Sequence, residues 1–130
     1  MLELVICESV YWEFVRNLRN DKRVTSGFID QSYITREMQV EYMTENSSYF
    51  RIALKDGVPA GYIGVIDEDI RICTHPDFQR MGVAKFMLKS ILDIWPNSKA
   101  KIKFENKASL NLFQSCGFEI EYYHLTRTIE

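Results

Sequence analysis

Apolar residues recur along the chain with two spacings, and these spacings predict its helices and strands. Apolar positions three or four residues apart predict a helix, whereas alternation or a short β-branched run predicts a strand. In the first half, strands are predicted at residues 2–7, 49–54 and 58–66. Helices are predicted at residues 9–18 and in a segment that begins after residue 35. The second half is predicted to hold strands at 69–74 and 99–104, helices at 82–95 and 106–116, and one or two strands within 118–129.

Caps and turns define several of these boundaries. Ser9 and Thr35 each precede a helical apolar pattern and are predicted N-caps. The pair Asp56-Gly57 lies between two strands and predicts a type I′ hairpin turn. Gly61 and Gly64 inside the following strand predict a bulge or a close backbone approach.

The element order predicts the fold class. The order is β-α-α-β-β-β-α-β-α-β over a single domain, residues 1–130. Hairpin strands followed by a βαβ unit predict an α/β fold whose central mixed sheet has six to seven strands and helices on both faces. Strict alternation in residues 99–104 directs Ala100, Ile102 and Phe104 toward the core.

Composition narrows the class of function. Sixteen Lys and Arg against eighteen Asp and Glu give a net charge of −2, which argues against a nucleic-acid partner because such proteins carry a basic excess. The apolar runs are far shorter than a membrane span, so we expect no membrane partner. The first eight residues lack the pattern of a signal peptide. Three cysteines without a CxxC pair predict free thiols in a reducing, cytoplasmic setting and no metal site.

A strand-to-helix turn at residues 75–84 carries the most informative chemistry. Backbone N–H groups stay unpaired at a helix N-terminus, and the helix dipole adds positive charge there. Gly82 lacks a Cβ that would block a bulky anion, and Arg80 and Lys85 add charge nearby. The turn therefore predicts a pyrophosphate site, although it has neither the P-loop nor the dinucleotide-binding spacing.

Two motifs make the chain resemble the GCN5-related N-acetyltransferases (GNAT). Residues 79–84, QRMGVA, are similar to the family loop Q/R-x-x-G-x-G/A. Residues 106–118, NKASLNLFQSCGF, are similar to the family helix N-x-x-A/S-x-x-L-Y-x-x-x-G-F. The two motifs are one helix and one strand apart, as in the family. The resemblance implies a GNAT-like fold and transfer of acetyl from acetyl-CoA to an amine, without a metal.

The resemblance also implies which residues bind CoA. The loop at 79–84 would hold the pyrophosphate, the preceding strand would pair with the pantetheine amides, and the last helix would contact the CoA arm from the other side. These cofactor-binding residues are Ile72, Cys73, Thr74, Gln79, Arg80, Met81, Gly82, Val83, Ala84, Asn106, Ser109 and Phe113.

A weaker resemblance concerns the acceptor. Residues 18–21 (LRND) and 34–42 (ITREMQVEY) are similar to the pattern W-R-N-D … I-S/T-x-E-x-H-x-x-W. That pattern occurs in acetyltransferases of nucleotide-linked amino sugars and of ribosomal-protein N-termini. Gln39 stands where His is usual, and Tyr42 where Trp is usual. The resemblance implies that Arg19, Asn20 and Gln39 contact the acceptor.

Acetyl transfer to an amine needs a proton acceptor, because an ammonium must lose a proton before it attacks. Asp69 is the predicted general base, acting directly or through water, and Glu68 is the second candidate. The alternative interpretation is that these acids are solvated turn residues. Phe113 occupies the position where many family members carry a tyrosine acid, so Tyr122, Tyr123 or water would protonate the leaving thiolate.

The sequence therefore predicts a cytoplasmic, acetyl-CoA-dependent N-acetyltransferase. Its acceptor is the primary amine of a small molecule, with a nucleotide-linked amino sugar as the first choice and a protein N-terminus or a polyamine as the alternative. A catalytically silent CoA-binding module is the alternative from another class. The tail around Tyr122 and Tyr123 is a candidate contact in a homodimer.

Overall fold

The computed structural model describes residues 1–128. In chain order, their strands and α-helices are β1 (Leu2–Ile6), α1 (Trp12–Asn20), α2 (Arg36–Asn46), β2 (Phe50–Lys55), β3 (Val58–Ile66), β4 (Asp69–Thr74), α3 (Val83–Ile94) and α4 (Lys107–Ser115). Short 3₁₀ turns lie between them at Ser9–Tyr11, Thr25–Gly27, Ser47–Tyr49 and Pro76–Phe78. Within this part of the chain, no helix is both long and apolar enough to cross a membrane.

The strands form one antiparallel sheet in the order β1-β2-β3-β4. A two-residue turn joins β2 to β3, and its residues have positive φ, 51° at Asp56 and 82° at Gly57. Positive φ at both positions is the mark of a type I′ turn, so the predicted hairpin is confirmed. Asp67 and Glu68, with φ of 51° and 67°, form a similar turn between β3 and β4.

Helices cover both faces of this sheet, as predicted. One face packs against α3 and α4 in a core that includes Ile63, Met87 and Phe113. The opposite face packs against α1 and α2 in a core that includes Val15 and Met43. The sheet is therefore the middle layer of three.

Successive residues of β4 alternate between these two faces. Ile70 and Ile72 pack toward α3 and α4, whereas Cys73 packs toward α1 and α2. Asp69 and Arg71 consequently share a face with Cys73. The strand thus presents apolar groups on one side and two charged groups on the other.

Gly61 and Gly64 accept close neighbours in the sheet. A Cβ on Gly61 would lie 2.8 Å from the carbonyl oxygen of Cys73, and a Cβ on Gly64 would lie 2.5 Å from the ring of Phe50. The pairing of β2 with β3 also shifts register at residues 53–54. The predicted close approach and irregular pairing are both confirmed.

The prediction of a mixed sheet with six to seven strands is wrong for the described residues. Residues 99–104 meet β4 in one isolated parallel bridge, between Lys99 and Asp69, and form no strand. Residues 118–128 also form no strand, and from Glu119 onward their side chains are exposed; Ile129 lies outside the described residues. A strand persists only where its N–H and C=O groups find a neighbouring strand, and here they face water or a gap.

One predicted core residue is also displaced. Ala100 and Ile102 pack against the α3–α4 core as expected, but Phe104 is 80% exposed. A turn at residues 104–105 carries its ring to the surface, where the Lys107 ammonium lies 3.9 Å from the ring centre. The prediction that Phe104 faces the core is therefore wrong.

Side-chain caps begin two of the helices. Thr35 caps α2 by accepting a hydrogen bond from the N–H of Met38 at 3.2 Å, as predicted. Asn106 caps α4 by accepting one from the N–H of Ser109 at 3.1 Å. Ser9 does not cap α1, because it opens a 3₁₀ turn and α1 begins only after that turn.

Candidate functional site

A cleft of about 320 Å³ opens between β4 and the segment 100–102, where the two run apart. Its walls come from both faces of the sheet, so it passes between the two cores. The lining includes Arg19, Asp69, Arg71, Ile72, Asn106 and Phe113.

The divergence leaves the outer edge of β4 unpaired along the cleft. The N–H of Ile70 donates to the carbonyl of Lys99 at 2.8 Å, so the backbone groups of Ile70 point away from β3. Backbone groups alternate in direction along a strand, and those of Ile72 and Thr74 therefore point the same way. Past the single bridge, no strand formed by residues 1–128 lies beside them. The cleft is consequently edged by backbone donors and acceptors.

The side chain of Thr74 adds an unsatisfied group at this edge. Its Oγ1 is buried and has no hydrogen-bond partner among the described residues. Burying a hydroxyl without a partner costs about 1–3 kcal/mol. A ligand group that bonds to this oxygen would remove that cost.

Beyond β4, residues 79–82 form an exposed turn. Arg80 and Gly82 both adopt the left-handed conformation, with φ of 65° and 79°. Alternation of left- and right-handed residues makes successive N–H groups converge into a hollow that binds anions. Since α3 begins at Val83, its unpaired first-turn amides and its dipole support the same hollow.

Helix α4 forms the opposite wall, and its C-terminal end is held in a fixed conformation. Gly117 has φ of 92°, and the N–H of Phe118 donates to the carbonyl of Phe113 at 3.0 Å. These features define a Schellman motif, and the two phenyl rings meet edge to face at 5.0 Å. Phe113 is thereby packed into the core and offers the cleft a ring without a hydroxyl.

The loop of residues 21–34 forms the rim on the side of α1 and α2. Asn20 anchors the end of this loop. Its Nδ2 donates to the carbonyl of Ile34 at 2.8 Å, and its Oδ1 accepts from the N–H of Ile34 at 2.9 Å. The side chain of Asn20 is thus bonded to the loop rather than directed into the cleft.

Two contacts tie the middle of this loop to the opposite wall, and we call them the latch. Lys103 Nζ donates to the carbonyl of Ser26 at 2.9 Å. Asn106 Nδ2 donates to the carbonyl of Gly27 at 3.5 Å. The latch joins residues that are far apart in sequence and closes the loop over the cleft.

Charged side chains gather on this rim. The cleft is lined by Arg19, Asp30, Asp69, Arg71 and Lys101. Arg71 Nε donates to Asp69 Oδ2 at 3.1 Å. This contact fixes the orientation of the carboxylate and balances its charge.

Arg19 is positioned by groups of the loop. Its guanidinium lies 4.4 Å from the ring centre of Phe28, and its Nη2 donates to the backbone carbonyl of Asp30 at 2.9 Å. Hydrogen bonds from Ser32 and the positive charge of Arg19 lower the pKa of the Asp30 carboxyl. The rim is therefore a set of fixed charges of both signs.

Two buried protonated groups lie on the sheet below the rim. Burial raises the pKa of the Cys73 thiol to about 12 and raises the pKa of the Tyr62 phenol above its usual value. Tyr62 pairs with Cys73 across β3 and β4 and lines the cleft. A thiol that stays protonated at neutral pH is a poor nucleophile, so the position of Cys73 is structural.

The structure brings six of the eighteen predicted site residues to the cleft itself. The predicted residues that line it are Arg19, Asp69, Ile72, Asn106, Ser109 and Phe113. Residues 79–82 form the exposed turn beyond the end of β4, whereas Val83 is buried and begins α3 together with Ala84. Gln39 lies elsewhere, because it is buried between α1 and α2, where its Nε2 donates to the carbonyl of Trp12 at 2.8 Å.

Two residues predicted to take part in proton transfer lie outside the lining. Glu68 occupies the turn before β4, with its carboxylate 4.0 Å from Lys99 Nζ. Tyr122 is 71% exposed on the tail. Of the acidic run at residues 67–69, Asp69 is the member that reaches the cleft.

Sequence reasoning missed several residues that line the cleft, among them Arg71, Phe28 and Asp30. Arg71 could have been predicted from the sequence, because strand alternation places it on the same face as Asp69. Phe28 and Asp30 could not have been, since they lie in the loop of residues 21–34, where no period relates one position to another.

Comparison with known families identifies the family of the chain. The model of the acetyltransferase (GNAT) family matches residues 9–118. That span is most of the chain, so the protein belongs to the acetyltransferase (GNAT) family, and the predicted family and acyltransferase class are confirmed. Comparison with curated proteins finds no match.

Solved structures share the fold. Spermidine N-acetyltransferase from Vibrio cholerae in complex with CoA and spermine has a TM-score of 0.80 at 21% identity, covering 95% of this chain and 83% of that chain. The acetyltransferase of the GNAT family from Streptococcus pneumoniae has a TM-score of 0.74 at 18% identity, covering 94% of this chain and 87% of that chain. AAC(6')-Iy in complex with a bisubstrate analogue of CoA has a TM-score of 0.70 at 18% identity, covering 99% of each chain. At such identities the likeness establishes the GNAT fold.

Proposed function

We propose that the protein transfers the acetyl group of acetyl-CoA directly to the primary amine of a small molecule. The observation that carries this proposal is the presence of two open stretches of backbone, the outer edge of β4 and the left-handed turn at Arg80 and Gly82. Together they suit an extended donor that has amides along its length and a pyrophosphate at one end.

The residues present fit that donor. The backbone groups of Ile72 and Thr74 would pair with the pantetheine amides, and Thr74 Oγ1 would gain the partner it lacks. The amides of residues 79–84 would hold the pyrophosphate in front of α3. Asn106 and Phe113 would form the opposite wall. When bound, acetyl-CoA supplies an activated thioester.

Asp69 is our proposed general base. The acceptor ammonium gives one proton to the carboxylate, directly or through a water, and its nitrogen then bonds to the thioester carbonyl carbon. The carbon–sulfur bond breaks, and the thiolate takes up a proton. In sum, an ammonium and acetyl-CoA yield an N-acetyl amide, CoA thiol and one proton. The contact with Arg71 at 3.1 Å orients Asp69 for this role.

The leaving thiolate needs no protein acid. Phe113 cannot donate a proton, but a thiol pKa near ~8.5 makes the thiolate a tolerable leaving group at neutral pH. Water in the open cleft can protonate it afterwards. The exposed positions of Tyr122 and Glu68 give neither residue support as a catalytic group.

For the acceptor, we propose a nucleotide-linked amino sugar, on the similarity of residues 18–21 and 34–42 to such acetyltransferases. A polyamine is the second candidate, favoured by the fold shared with spermidine N-acetyltransferase. A protein N-terminus is a further alternative. The free cysteines agree with a cytoplasmic setting, and the exposed Tyr122 and Tyr123 agree with contacts in a homodimer.

Two measurements on the purified protein test this function. Acetyl-CoA at 100 times its dissociation constant should add about 2.7 kcal/mol to the free energy of unfolding. Release of CoA thiol with a UDP-linked amino sugar or spermidine should then show turnover. Stabilisation without turnover with any primary amine would indicate a silent CoA-binding module, and no stabilisation would contradict both functions.

A further inference from the structure

The charge of the cleft differs in sign from the charge of the chain. Three cationic side chains (Arg19, Arg71, Lys101) and two carboxylates (Asp30, Asp69) line the cleft, a balance of +1, whereas the whole chain carries −2. A site that recognised only an ammonium would be lined mainly by carboxylates. The cationic excess indicates that the ligand brings an anionic group as well.

Arg71 is placed to bind such a group. Its Nε is bonded to Asp69 Oδ2 at 3.1 Å, and within residues 1–128 its two Nη atoms have no hydrogen-bond partner. The side chain is 41% exposed on the cleft wall. A guanidinium fork in this state binds carboxylate or phosphate through two parallel hydrogen bonds.

Arg19 provides a second cation that is already held in place. Its contacts are the ring of Phe28 at 4.4 Å and the backbone carbonyl of Asp30 at 2.9 Å. Neither partner is a carboxylate, and within residues 1–128 Arg19 forms no ion pair, although its charge lowers the pKa of the nearby Asp30 carboxyl. Its side chain is also ordered before binding, which lowers the entropy cost of recognition.

These cations lie far from the proposed pyrophosphate turn. Arg71 is near the start of β4, and the turn at residues 79–84 follows the opposite end of the strand. From Arg71 to Thr74 the three steps of β4 span about 10 Å at about 3.3 Å per residue, and the turn begins five residues further along the chain. The two arginines are therefore near the thioester end of a donor bound along β4, where the acceptor must enter.

We propose that the acceptor carries a carboxylate or a phosphate in addition to its amine, and that Arg71 and Arg19 bind this group while Asp69 receives the ammonium proton. This inference rests on the proposed function and narrows its substrate class. Because Asp69 is bonded to Arg71, the amine and the anion of the substrate lie a short distance apart. A nucleotide-linked amino sugar meets this requirement, and a polyamine does not.

The test compares acceptors that differ only in the anion. Thiol release gives kcat/KM for glucosamine 1-phosphate against glucosamine, for β-alanine against β-alaninamide, and for spermidine. We expect the anionic member of at least one pair to exceed its neutral partner about tenfold or more, as for hydrogen bonds to a charged group. Which pair shows the preference distinguishes phosphate from carboxylate.

Variants connect the preference to the guanidinium. In Arg71→Gln the preference should fall to about twofold or less, and in Arg71→Lys it should be intermediate, because a lysine keeps the charge and loses the fork. Lys89→Gln on the exposed face of α3 is the matched control and should keep the full preference. The affinity for CoA, measured by calorimetry, should be the same in all four proteins.

Each other outcome is decisive. Equal rates within both pairs, or spermidine as the fastest acceptor, would overturn the inference while leaving acetyl transfer intact. If no amine is turned over, calorimetry shows whether the CoA complex binds the two anionic probes, glucosamine 1-phosphate and β-alanine. Binding that Arg71→Gln abolishes would uphold the anion site and reject the proposed function, and absence of binding would reject the inference too.

Discussion

The two sides of the cleft are built from different parts of the polypeptide. The side that we propose for the donor consists mainly of backbone, namely the free edge of β4 and the turn around Arg80 and Gly82. The side that we propose for the acceptor consists of side chains, with Asp69 and Arg71 on the sheet facing Arg19 and the latched loop. A backbone cradle suits one invariant donor, whereas a set of side chains can be matched to a particular acceptor.

The largest effect should follow a change on the acceptor side. Asp69→Asn should lower kcat by about 10²–10⁴, because it removes the group that takes the ammonium proton. The affinity for CoA should be nearly unchanged, since that depends on the donor side. Thiol release and calorimetry measure the two quantities separately.

A control and a pH profile accompany this variant. Asp93→Asn removes an exposed carboxylate from α3 and should leave kcat unchanged. The rate of Asp69→Asn should keep rising with pH as free amine becomes available without a base. If Asp69→Asn kept half of the activity at neutral pH, Asp69 would not be the base.

The next largest effect should come from the donor side. Gly82→Ala places a Cβ at φ of 79° with no protein atom within 4 Å, so within the protein it costs only backbone strain, about 1–2 kcal/mol of unfolding free energy. The same methyl would face the pyrophosphate, and we expect the affinity for CoA to fall about tenfold, or about 1.4 kcal/mol. Chemical denaturation and calorimetry check the two effects.

Gly57→Ala is a closely matched control for this change. Gly57 has φ of 82° and likewise has no protein atom within 4 Å of a Cβ, but it lies in the β2–β3 hairpin. The Gly57→Ala variant should lose a similar amount of stability and keep its affinity for CoA. Equal affinities for CoA in the two variants would show that Gly82 does not face the donor.

The same contrast explains how much of the site could be predicted from the sequence. The donor side depends on local chemistry, because Gly82 and the helix that follows it are adjacent in the chain. The left-handed glycine directly before a helix could therefore be predicted from residues 79–84 alone, and its binding of a pyrophosphate stays a prediction. The positive φ of Arg80 could not be predicted, because arginine has no preference for that conformation.

The acceptor side depends on contacts between distant parts of the chain. Gln39 looked like an acceptor residue from its motif, but it bonds to Trp12 between two helices. The cleft exists because residues 99–104 leave β4 after one bridge, and an alternating pattern predicts a strand without showing where its pairing stops. The prediction of strands in the tail is wrong for the same reason, because a strand pattern in the sequence does not provide a neighbouring strand to pair with.

A moderate effect should come from opening the latch. Lys103→Met removes the hydrogen bond from Nζ to the carbonyl of Ser26 at 2.9 Å. The loop should then be less ordered, and the acceptor KM should rise about threefold, as expected for a hydrogen bond worth about 0.5–1.5 kcal/mol. Lys99→Met removes the same charge from the same segment without touching the loop, and it should leave the acceptor KM unchanged. Equal shifts in the two variants would assign the effect to charge rather than to the latch.

The smallest effect concerns the dependence of stability on acid pH, and we expect it to arise in the loop on the proposed acceptor side. Hydrogen bonds from the side chain and backbone of Arg23 lower the pKa of Asp21, at the start of the loop, to about 2. Because this pKa is below its value in the unfolded chain, the ionised carboxylate stabilises the fold above about pH 4. That contribution is lost as the pH falls through about 2. The difference in unfolding free energy between the wild type and Asp21→Asn should therefore be constant from pH 7 to about pH 4 and shrink by pH 2. Urea titrations at these pH values measure it, and a difference that stayed constant down to pH 2 would show that Asp21 does not hold the loop through its charge.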